Sequence, residues 1–235
     1  MSTAISFMFK APSCLGSVLE KEKGMDKRTF FNEMAPTWDQ KFYTLQLQEH
    51  LEKNLVPRFH LRRGSRVLDV GGGTGGIIPF LLQAIGPQGE VHSIDFAEKM
   101  VEIGRMKFDR EPRVSIQVAS VEDLPFEDRF FDHVICFGVF PHIEDRMRAL
   151  REINRVLRNS GTLIVAHALS SEEIRAHHKG ASPVSQDFLP EEEDMRKLLS
   201  ENGFEVESLI DEPKCYCCEA VKKFEAHLQK RGKSN

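Results

Sequence analysis

Five of the six residues from Gly71 to Gly76 are glycine, and they stand between an apolar run at residues 66–70 and a helical pattern. Glycine is required where the backbone takes unusual dihedral angles or must approach a ligand closely. An ordinary turn needs only one or two such residues. The segment therefore predicts a strand, a ligand-binding loop and a helix, which together form the first unit of an open α/β sheet.

Short β-branched runs continue to alternate with helical stretches after Gly64. The predicted strands span residues 66–70, 91–95, 114–118, 132–137 and 162–167, and the predicted helices span residues 75–85, 97–108 and 144–157. In the last of these helices, one apolar stripe contains Met147, Leu150, Ile153 and Leu157. The alternation is typical of a parallel sheet built from βαβ units.

The C-terminal part of the sequence departs from this alternation. A polar stretch at residues 170–190 is longer than most loops of compact domains, and we expect it to form an acceptor-side lid. The acidic residues 191–194 then predict the start of a helix that ends at Asn202 and Gly203. Residues 204–210 and 215–222 predict a hairpin, which adds an antiparallel strand to the parallel sheet.

Composition narrows the classes of partner. The chain has 32 Lys and Arg against 36 Asp and Glu, a net charge of -4, and no dense basic stripe that would neutralise a run of phosphates, which argues against nucleic acid. The longest nearly apolar run, residues 77–85, is too short to span a bilayer. The 5 cysteines are an odd number and do not resemble a disulfide framework, so we expect a cytoplasmic protein.

The glycine loop alone leaves two cofactors open. Gly71, Gly73 and Gly76 satisfy the dinucleotide pattern G-x-G-x-x-G. We expect the Asp69 carboxylate near the mouth of the loop, where it would repel a pyrophosphate and attract an ammonium group. Asp95, at the end of the second strand, could accept hydrogen bonds from ribose hydroxyls, or could be a strand-end or helix-capping aspartate. Electrostatics favours S-adenosylmethionine (SAM) over NAD.

Several motifs together resemble the class I SAM-dependent methyltransferases. They are Asp69-Val-Gly71-Gly-Gly73-Thr-Gly75, Asp95, Val121-Glu-Asp-Leu-Pro-Phe126 and Arg158-Asn-Ser-Gly161. The likeness covers residues 30–222. It implies a Rossmann-like, doubly wound, seven-stranded and mostly parallel sheet with an antiparallel last strand, and it implies that SAM is bound at Asp69, Gly71, Gly73, Gly75 and Asp95.

The resemblance also implies roles for residues around that loop. Asp95 would bind the ribose, Phe96 and Met100 would line the adenine pocket, and Phe137 would lie beside the methionine portion. Ser120 stands where the family has Asp or Asn for the adenine amino group, although the backbone N–H of Val121 could still contact the ring.

Upstream, residues 31–39 resemble the N-terminal segment of the ubiquinone/menaquinone-biosynthesis branch, in which an aromatic residue and an Asp fold over the cofactor. Trp38 stands where that branch has Tyr. A core position for this side chain is the alternative.

Four histidines form a second, weaker pattern. His142 follows the fourth predicted strand at the rim where open α/β sheets bind ligands, so it is the candidate catalytic residue, as a base or as a group that orients the substrate. A surface histidine is the alternative. His167, His177 and His178 are candidates for the substrate side of the same mouth. A metal site is the alternative for these three, but no Cys or carboxylate stands at a telling spacing, and we predict no metal.

The sequence therefore predicts a methyltransferase that transfers a methyl group from SAM to a small molecule and releases S-adenosylhomocysteine. An NAD-dependent oxidoreductase and a non-catalytic SAM-binding protein are the alternatives. We divide the chain into a leader (1–24), an N-terminal helical cap (25–60) and a SAM-binding domain (61–225). The acceptor is expected between the Trp38 segment and residues 170–190.

Overall fold

A seven-stranded sheet organises the computed structural model, which describes residues 25–178 and 183–224. The strands are β1 Arg66–Val70, β2 Glu90–Asp95, β3 Val114–Val118, β4 Phe131–Phe137, β5 Leu157–His167, β6 Phe204–Glu212 and β7 Cys215–Lys222. Their order is β3-β2-β1-β4-β5-β7-β6. Strands β1 to β5 pair in parallel, whereas β7 is antiparallel to both β5 and β6. The predicted Rossmann-like sheet with an antiparallel last strand is confirmed.

The strand bounds follow the sequence prediction closely, with one large difference. Strand β5 begins at Leu157, whereas its predicted start is residue 162. The earlier start arises because Leu157 pairs with Phe131 across a register shift in β4. Arg158 then donates to the Asp132 carboxylate at 2.7 Å, and Ser160 takes a positive φ of 58°. The motif at residues 158–161, which the sequence places before the fifth strand, is therefore part of a bulged strand.

Eight α-helices accompany the strands in the part of the chain that the structure describes. They are α1 Lys27–Met34, α2 Trp38–Phe42, α3 Leu45–His50, α4 Ile78–Ile85, α5 Glu98–Lys107, α6 Arg146–Val156, α7 Ser171–His178 and α8 Glu192–Glu201. None of these described helices is both long and apolar enough to cross a membrane. Two deviations from the predicted helices have clear local causes.

The first deviation is at the start of α4, which begins at Ile78 and not at residue 75, because Gly75 has a left-handed φ of 82°. The second is in α6, where Asp145 caps the helix by accepting from the Arg148 N–H. The predicted apolar stripe of this helix is wrong at both ends. Met147 is 40% exposed, whereas Leu157 belongs to β5.

Apolar side chains cover both faces of the sheet. Helices α6 and α8 bury Leu150, Ile153 and Leu199 on one face, and α4 and α5 bury Leu81 and Val101 on the other. The N-terminal cap contributes to the second face, since the turns after α3 bury three large side chains there, Leu51, Leu55 and Phe59. The predicted leader, 1–24, lies outside the described residues.

Candidate functional site

The glycine loop lies between β1 and α4, beside the point where the strand order reverses. Gly71, Gly73 and Gly75 have φ values of 65°, 56° and 82°, which only glycine adopts readily. A Cβ on Gly71 would lie 2.2 Å from Val139 Cγ2, whereas a Cβ on Gly73 would find its nearest atom, Trp38 Nε1, at 3.7 Å. The loop thus needs glycine for its conformation and, at Gly71, for close packing.

An open space lies beside Gly138, at the end of β4, across from the glycine loop. Gly138 has a φ of 72°, and a Cβ built on it would meet no atom of the described residues within 4 Å. Its N–H donates to the Ala166 carbonyl at 2.9 Å, so the backbone there is fixed while the space beside it stays open. Ligands of open α/β sheets bind at this kind of switch point. The two glycine segments together form a cradle that fits a nucleoside-type cofactor.

Asp95 connects β2 to the loop and to α5. Its Oδ2 accepts from the Gly73 N–H at 2.9 Å, and its Oδ1 accepts from the Ala97 N–H at 2.8 Å. Burial raises the pKa of this carboxyl to about 6, against the lowering effect of those N–H donors. Each oxygen has two lone pairs, so each can accept one further hydrogen bond. The structural role and the ribose role are therefore compatible in one side chain.

Asp69 lies beneath the glycine loop and not at its mouth, which corrects the sequence expectation. Its side chain is only 1% exposed and accepts from Ser93 Oγ at 2.9 Å. A Cβ on Gly72 would lie 2.2 Å from Asp69 Oδ2, so the loop rests directly on this carboxyl. Burial raises the pKa of Asp69 to about 7. Its carboxylate is therefore only partly ionised at neutral pH, and its repulsion of a pyrophosphate is weaker than the sequence suggested.

Trp38 and Asp39 lie over the other side of the loop. Trp38 is half-buried in a small cluster with Ala35 and Met100, apart from the two clusters on the sheet faces. Asp39 accepts from Thr74 Oγ1 at 2.6 Å and pairs with Lys107 Nζ at 2.5 Å. These contacts fix α2 on the loop, and they support the lid position over the core position for Trp38.

The remaining predicted adenine-side residues occupy one wall of this region, with one exception. Met100 is buried, and Phe96 packs edge-on against Phe31 at a centroid distance of 5.9 Å. Ser120 is exposed, and its hydroxyl accepts from the Glu122 N–H at 3.2 Å, so it stabilises its own turn. Phe31 was not among the predicted site residues, although its ring lies between those of Trp38 and Phe96.

The predicted lid contains a helix and a carboxylate that the sequence did not single out. Helix α7 occupies residues 171–178, and residues 179–182 lie outside the described residues. Asp187 accepts from Lys27 Nζ at 2.9 Å and lies 2.8 Å from His142 Nδ1. Lys27 also donates to the His142 carbonyl at 3.2 Å. These contacts join α1, the end of β4 and the predicted lid.

Two more of the predicted histidines adjoin this group. His178 Nδ1 lies 2.6 Å from the Asp187 carbonyl, and its ring is 5.4 Å from that of His142. His167 is 7% exposed, and burial, with smaller effects from His142 and His178, lowers its pKa to about 3. His177 is exposed, with its ring 5.8 Å from that of His178. No three His, Cys, Asp or Glu among residues 25–178 and 183–224 are arranged to hold a metal ion.

Comparisons with known proteins find similarity to methyltransferases. Residues 68–165 match the family described as methyltransferase domain. The chain is 33% identical over 150 residues to the ubiquinone/menaquinone biosynthesis C-methyltransferase UbiE of Citrifermentans bemidjiense, covering 61% of this chain and 63% of that protein. It is 35% identical over 137 residues to the demethylmenaquinone methyltransferase of Staphylococcus aureus, covering 57% of this chain and 56% of that protein. The chain thus spans less than two thirds of the length of the curated relatives it matches.

Solved structures share the fold at lower sequence identity. A SAM-dependent methyltransferase from Aquifex aeolicus superposes with a TM-score of 0.63 at 22% identity, covering 84% of this chain and 100% of that chain. Another from Thermotoga maritima gives a TM-score of 0.65 at 20% identity, covering 82% of this chain and 98% of that chain. The matched domain is a methyltransferase domain, and the fold is shared with SAM-dependent methyltransferases. The chain resembles the ubiquinone and menaquinone biosynthesis enzymes, and SAM is the cofactor that these similarities indicate.

Proposed function

We propose that this protein transfers a methyl group from SAM to a small-molecule acceptor and releases S-adenosylhomocysteine. The observation that carries the proposal is the left-handed glycine loop whose Gly73 N–H is held by Asp95 at the switch point of the sheet. When bound, SAM supplies a methyl group on a sulfonium, which is already a strong electrophile. The protein's task is to align the acceptor and exclude water, and alignment alone contributes about 7–11 kcal/mol in favourable cases.

In this proposal the residues around the loop contact different parts of the cofactor. Asp95 accepts from the ribose hydroxyls, Phe96 and Met100 pack on the adenine, and the Val121 N–H meets the ring edge. Phe137 and the open space at Gly138 receive the methionine portion, whereas Trp38 covers the loop. The 25–60 cap, the 61–225 domain and a cytoplasmic location remain part of the proposal.

The acceptor enters between the Trp38 segment and the 170–190 lid. Both segments stand outside the regular strand and helix alternation, and α1 connects them through the Lys27 contact to Asp187. The names of the similar proteins support a ring-shaped, quinone-type acceptor. The alternative of an NAD-dependent oxidoreductase has no support among the comparisons, because the matched domain and the similar proteins are methyltransferases.

Calorimetry with three ligands tests the cofactor. We expect measurable binding of SAM and of S-adenosylhomocysteine and no binding of NAD. A pyrophosphate needs free backbone N–H donors, whereas the N–H groups of Gly72, Gly73 and Gly75 already donate to acceptors within the protein. Equal or tighter binding of NAD would reject the methyltransferase proposal. Binding of SAM without turnover on any acceptor would favour the non-catalytic alternative.

The variant Asp95→Ala tests the ribose contact. We expect it to weaken S-adenosylhomocysteine binding by about 1.5–3 kcal/mol, the scale of hydrogen bonds to a charged group. The matched control is Asp145→Ala, which also removes a carboxylate acceptor from a helix start, the contact to the Arg148 N–H. The control should lose about 1 kcal/mol of stability and no affinity. An unchanged dissociation constant in Asp95→Ala would leave Asp95 with its structural role alone.

A further inference from the structure

His142 and Asp187 form a close pair at the acceptor side of the site. The His142 Nδ1 atom lies 2.8 Å from Asp187 Oδ2, and the two side chains are only 13% and 11% exposed. A carboxylate can only accept, so Nδ1 carries the hydrogen and Nε2 carries the lone pair. Among the contacts of the described residues, none occupies Nε2. An imidazole oriented in this way by a carboxylate has the form of a general base.

Asp187 is held as an anion. Burial alone would raise its pKa, but hydrogen bonds from His142 and from Lys27 overcome that effect and lower the pKa below its usual value. Lys27 Nζ contacts Oδ1 at 2.9 Å, so each carboxylate oxygen has its own donor. Proton uptake by His142 would therefore be stabilised by a negative charge already in place.

The pair adjoins the proposed cofactor wall. His142 ends the short turn Phe140–His142 that follows β4 and the open space beside Gly138. Its ring packs edge-on against Phe31 at 5.6 Å, and Phe31 also contacts the rings of Trp38 and Phe96 at 5.9 Å each. A substrate that meets Nε2 would thus lie next to the residues proposed to hold SAM.

The other histidines near His142 are weaker bases than an ordinary imidazole. Burial lowers the pKa of His178 and of His167, so both bind a proton less tightly. His167 Nε2 is buried and has no hydrogen-bond partner within the described residues. Besides Lys27, the nearby cation is Arg146, which donates to the Pro141 and Phe188 carbonyls.

We propose that the His142–Asp187 pair removes a proton from an acidic hydroxyl of the methyl acceptor, a phenol or an enol. This inference rests on the proposed function and specifies its substrate class. It places the methyl group on oxygen, whereas the similar protein of Citrifermentans bemidjiense is named a C-methyltransferase. The hydroxyl oxygen forms a bond to the methyl carbon, and the methyl–sulfur bond breaks with its electron pair left on sulfur. The hydroxyl proton moves to Nε2 of His142, and the resulting imidazolium, paired with Asp187, later loses that proton to water.

Methylation of two phenols of different acidity tests whether the His142–Asp187 pair acts as a base or has only a structural role. Phenol, like the tyrosine side chain, has a pKa of about 10 and needs a base, whereas 4-nitrophenol is already ionised at about pH 8. We expect His142→Ala to lower kcat for phenol by about 10²–10⁴-fold and to leave kcat for 4-nitrophenol within about threefold of the wild type. Asp187→Asn should act in the same direction, because it disturbs the tautomer that frees Nε2.

Two control variants isolate the chemistry from the packing. His60→Asn removes a histidine whose Nδ1 also lies 2.8 Å from a carboxylate, that of Glu219, but which is 70% exposed and outside the site. Lys27→Met keeps both members of the dyad but removes one of the two donors to the Asp187 carboxylate. His60→Asn should leave kcat for both phenols unchanged. Lys27→Met should change kcat for phenol more than kcat for 4-nitrophenol, and by less than His142→Ala does.

A measurement without turnover checks the same pair. Nitrogen-15 NMR of the histidine rings should show His142 with hydrogen on Nδ1 in the wild type, and a mixture of tautomers in Asp187→Asn. Calorimetry with S-adenosylhomocysteine is run on every variant, and unchanged affinity is expected.

The outcomes separate this proposal from the proposed function. No binding of S-adenosylhomocysteine to the wild type would reject the methyltransferase itself. Intact binding with equal losses for the two phenols in His142→Ala, or no methylation of either phenol by the wild type, would overturn the base dyad. Stoichiometric metal in the wild type that disappears in His142→Ala would overturn it as well.

Discussion

Gly71→Ala is expected to destabilise the protein by about 2–5 kcal/mol and to abolish S-adenosylhomocysteine binding. The left-handed φ of 65° costs a non-glycine residue about 1–2 kcal/mol. The new methyl group would lie 2.2 Å from Val139 Cγ2, and overpacking of this kind adds about 1–3 kcal/mol. Relief of that overlap would shift the loop that carries Gly73. Urea unfolding gives the stability change, and calorimetry gives the affinity.

Gly138→Ala is the matched control, because its φ of 72° imposes the same strain while no described atom lies within 4 Å of the added methyl group. Gly138→Ala should lower the free energy of unfolding by only about 1–2 kcal/mol. Val139→Ala in the Gly71→Ala background should recover part of the loss, since it removes the nearest colliding atom. Equal stability losses in Gly71→Ala and Gly138→Ala would show that the contact with Val139 is not what requires glycine.

Local patterns were sufficient for most of the fold. The β-branched runs predicted β1 and β3 to the residue, because β-branched residues favour strands. The errors occur where a local signal was ambiguous. Gly75 could begin a helix or end a loop, and only its φ of 82° decides for the loop. Helix α7 was missed because its sequence, SEEIRAHH, has one buried residue, Ile174, and no apolar stripe.

The site was predictable only where its residues are close in sequence. The glycine loop and Asp95 were predicted from their position at strand ends, and the structure joins them through the Gly73 N–H. Asp187 has no such signal, because it lies 45 positions after His142 and 160 after Lys27. Asp69 was predicted as a site residue, but its burial was not predicted, because burial depends on how the loop folds over the side chain.

Asp69→Asn is expected to remove a pH dependence of stability. The folded carboxyl has a pKa of about 7 because it is buried, whereas an unfolded aspartate has about 3.9. The folded state therefore binds the proton more tightly. The contribution of Asp69 is most favourable below about pH 4 and is lost as the pH rises to about 7. Above that pH the variant should exceed the wild type by at most about 4 kcal/mol, as measured by urea unfolding across the range.

Ser93→Ala provides the directional control for this effect. The Ser93 hydroxyl donates to Asp69 Oδ2 at 2.9 Å and lowers the pKa of that carboxyl, so its removal should extend the loss of stability to higher pH. The double variant should show the same pH dependence of stability as Asp69→Asn alone, because the carboxyl that accepts from Ser93 is no longer present. Wild-type and Asp69→Asn curves that stay parallel from about pH 4 to pH 8 would contradict the raised pKa. The ammonium group of SAM, if it approaches Asp69 through the loop, would favour the ionised carboxyl, and binding near pH 7 would then release a proton that calorimetry in two buffers detects.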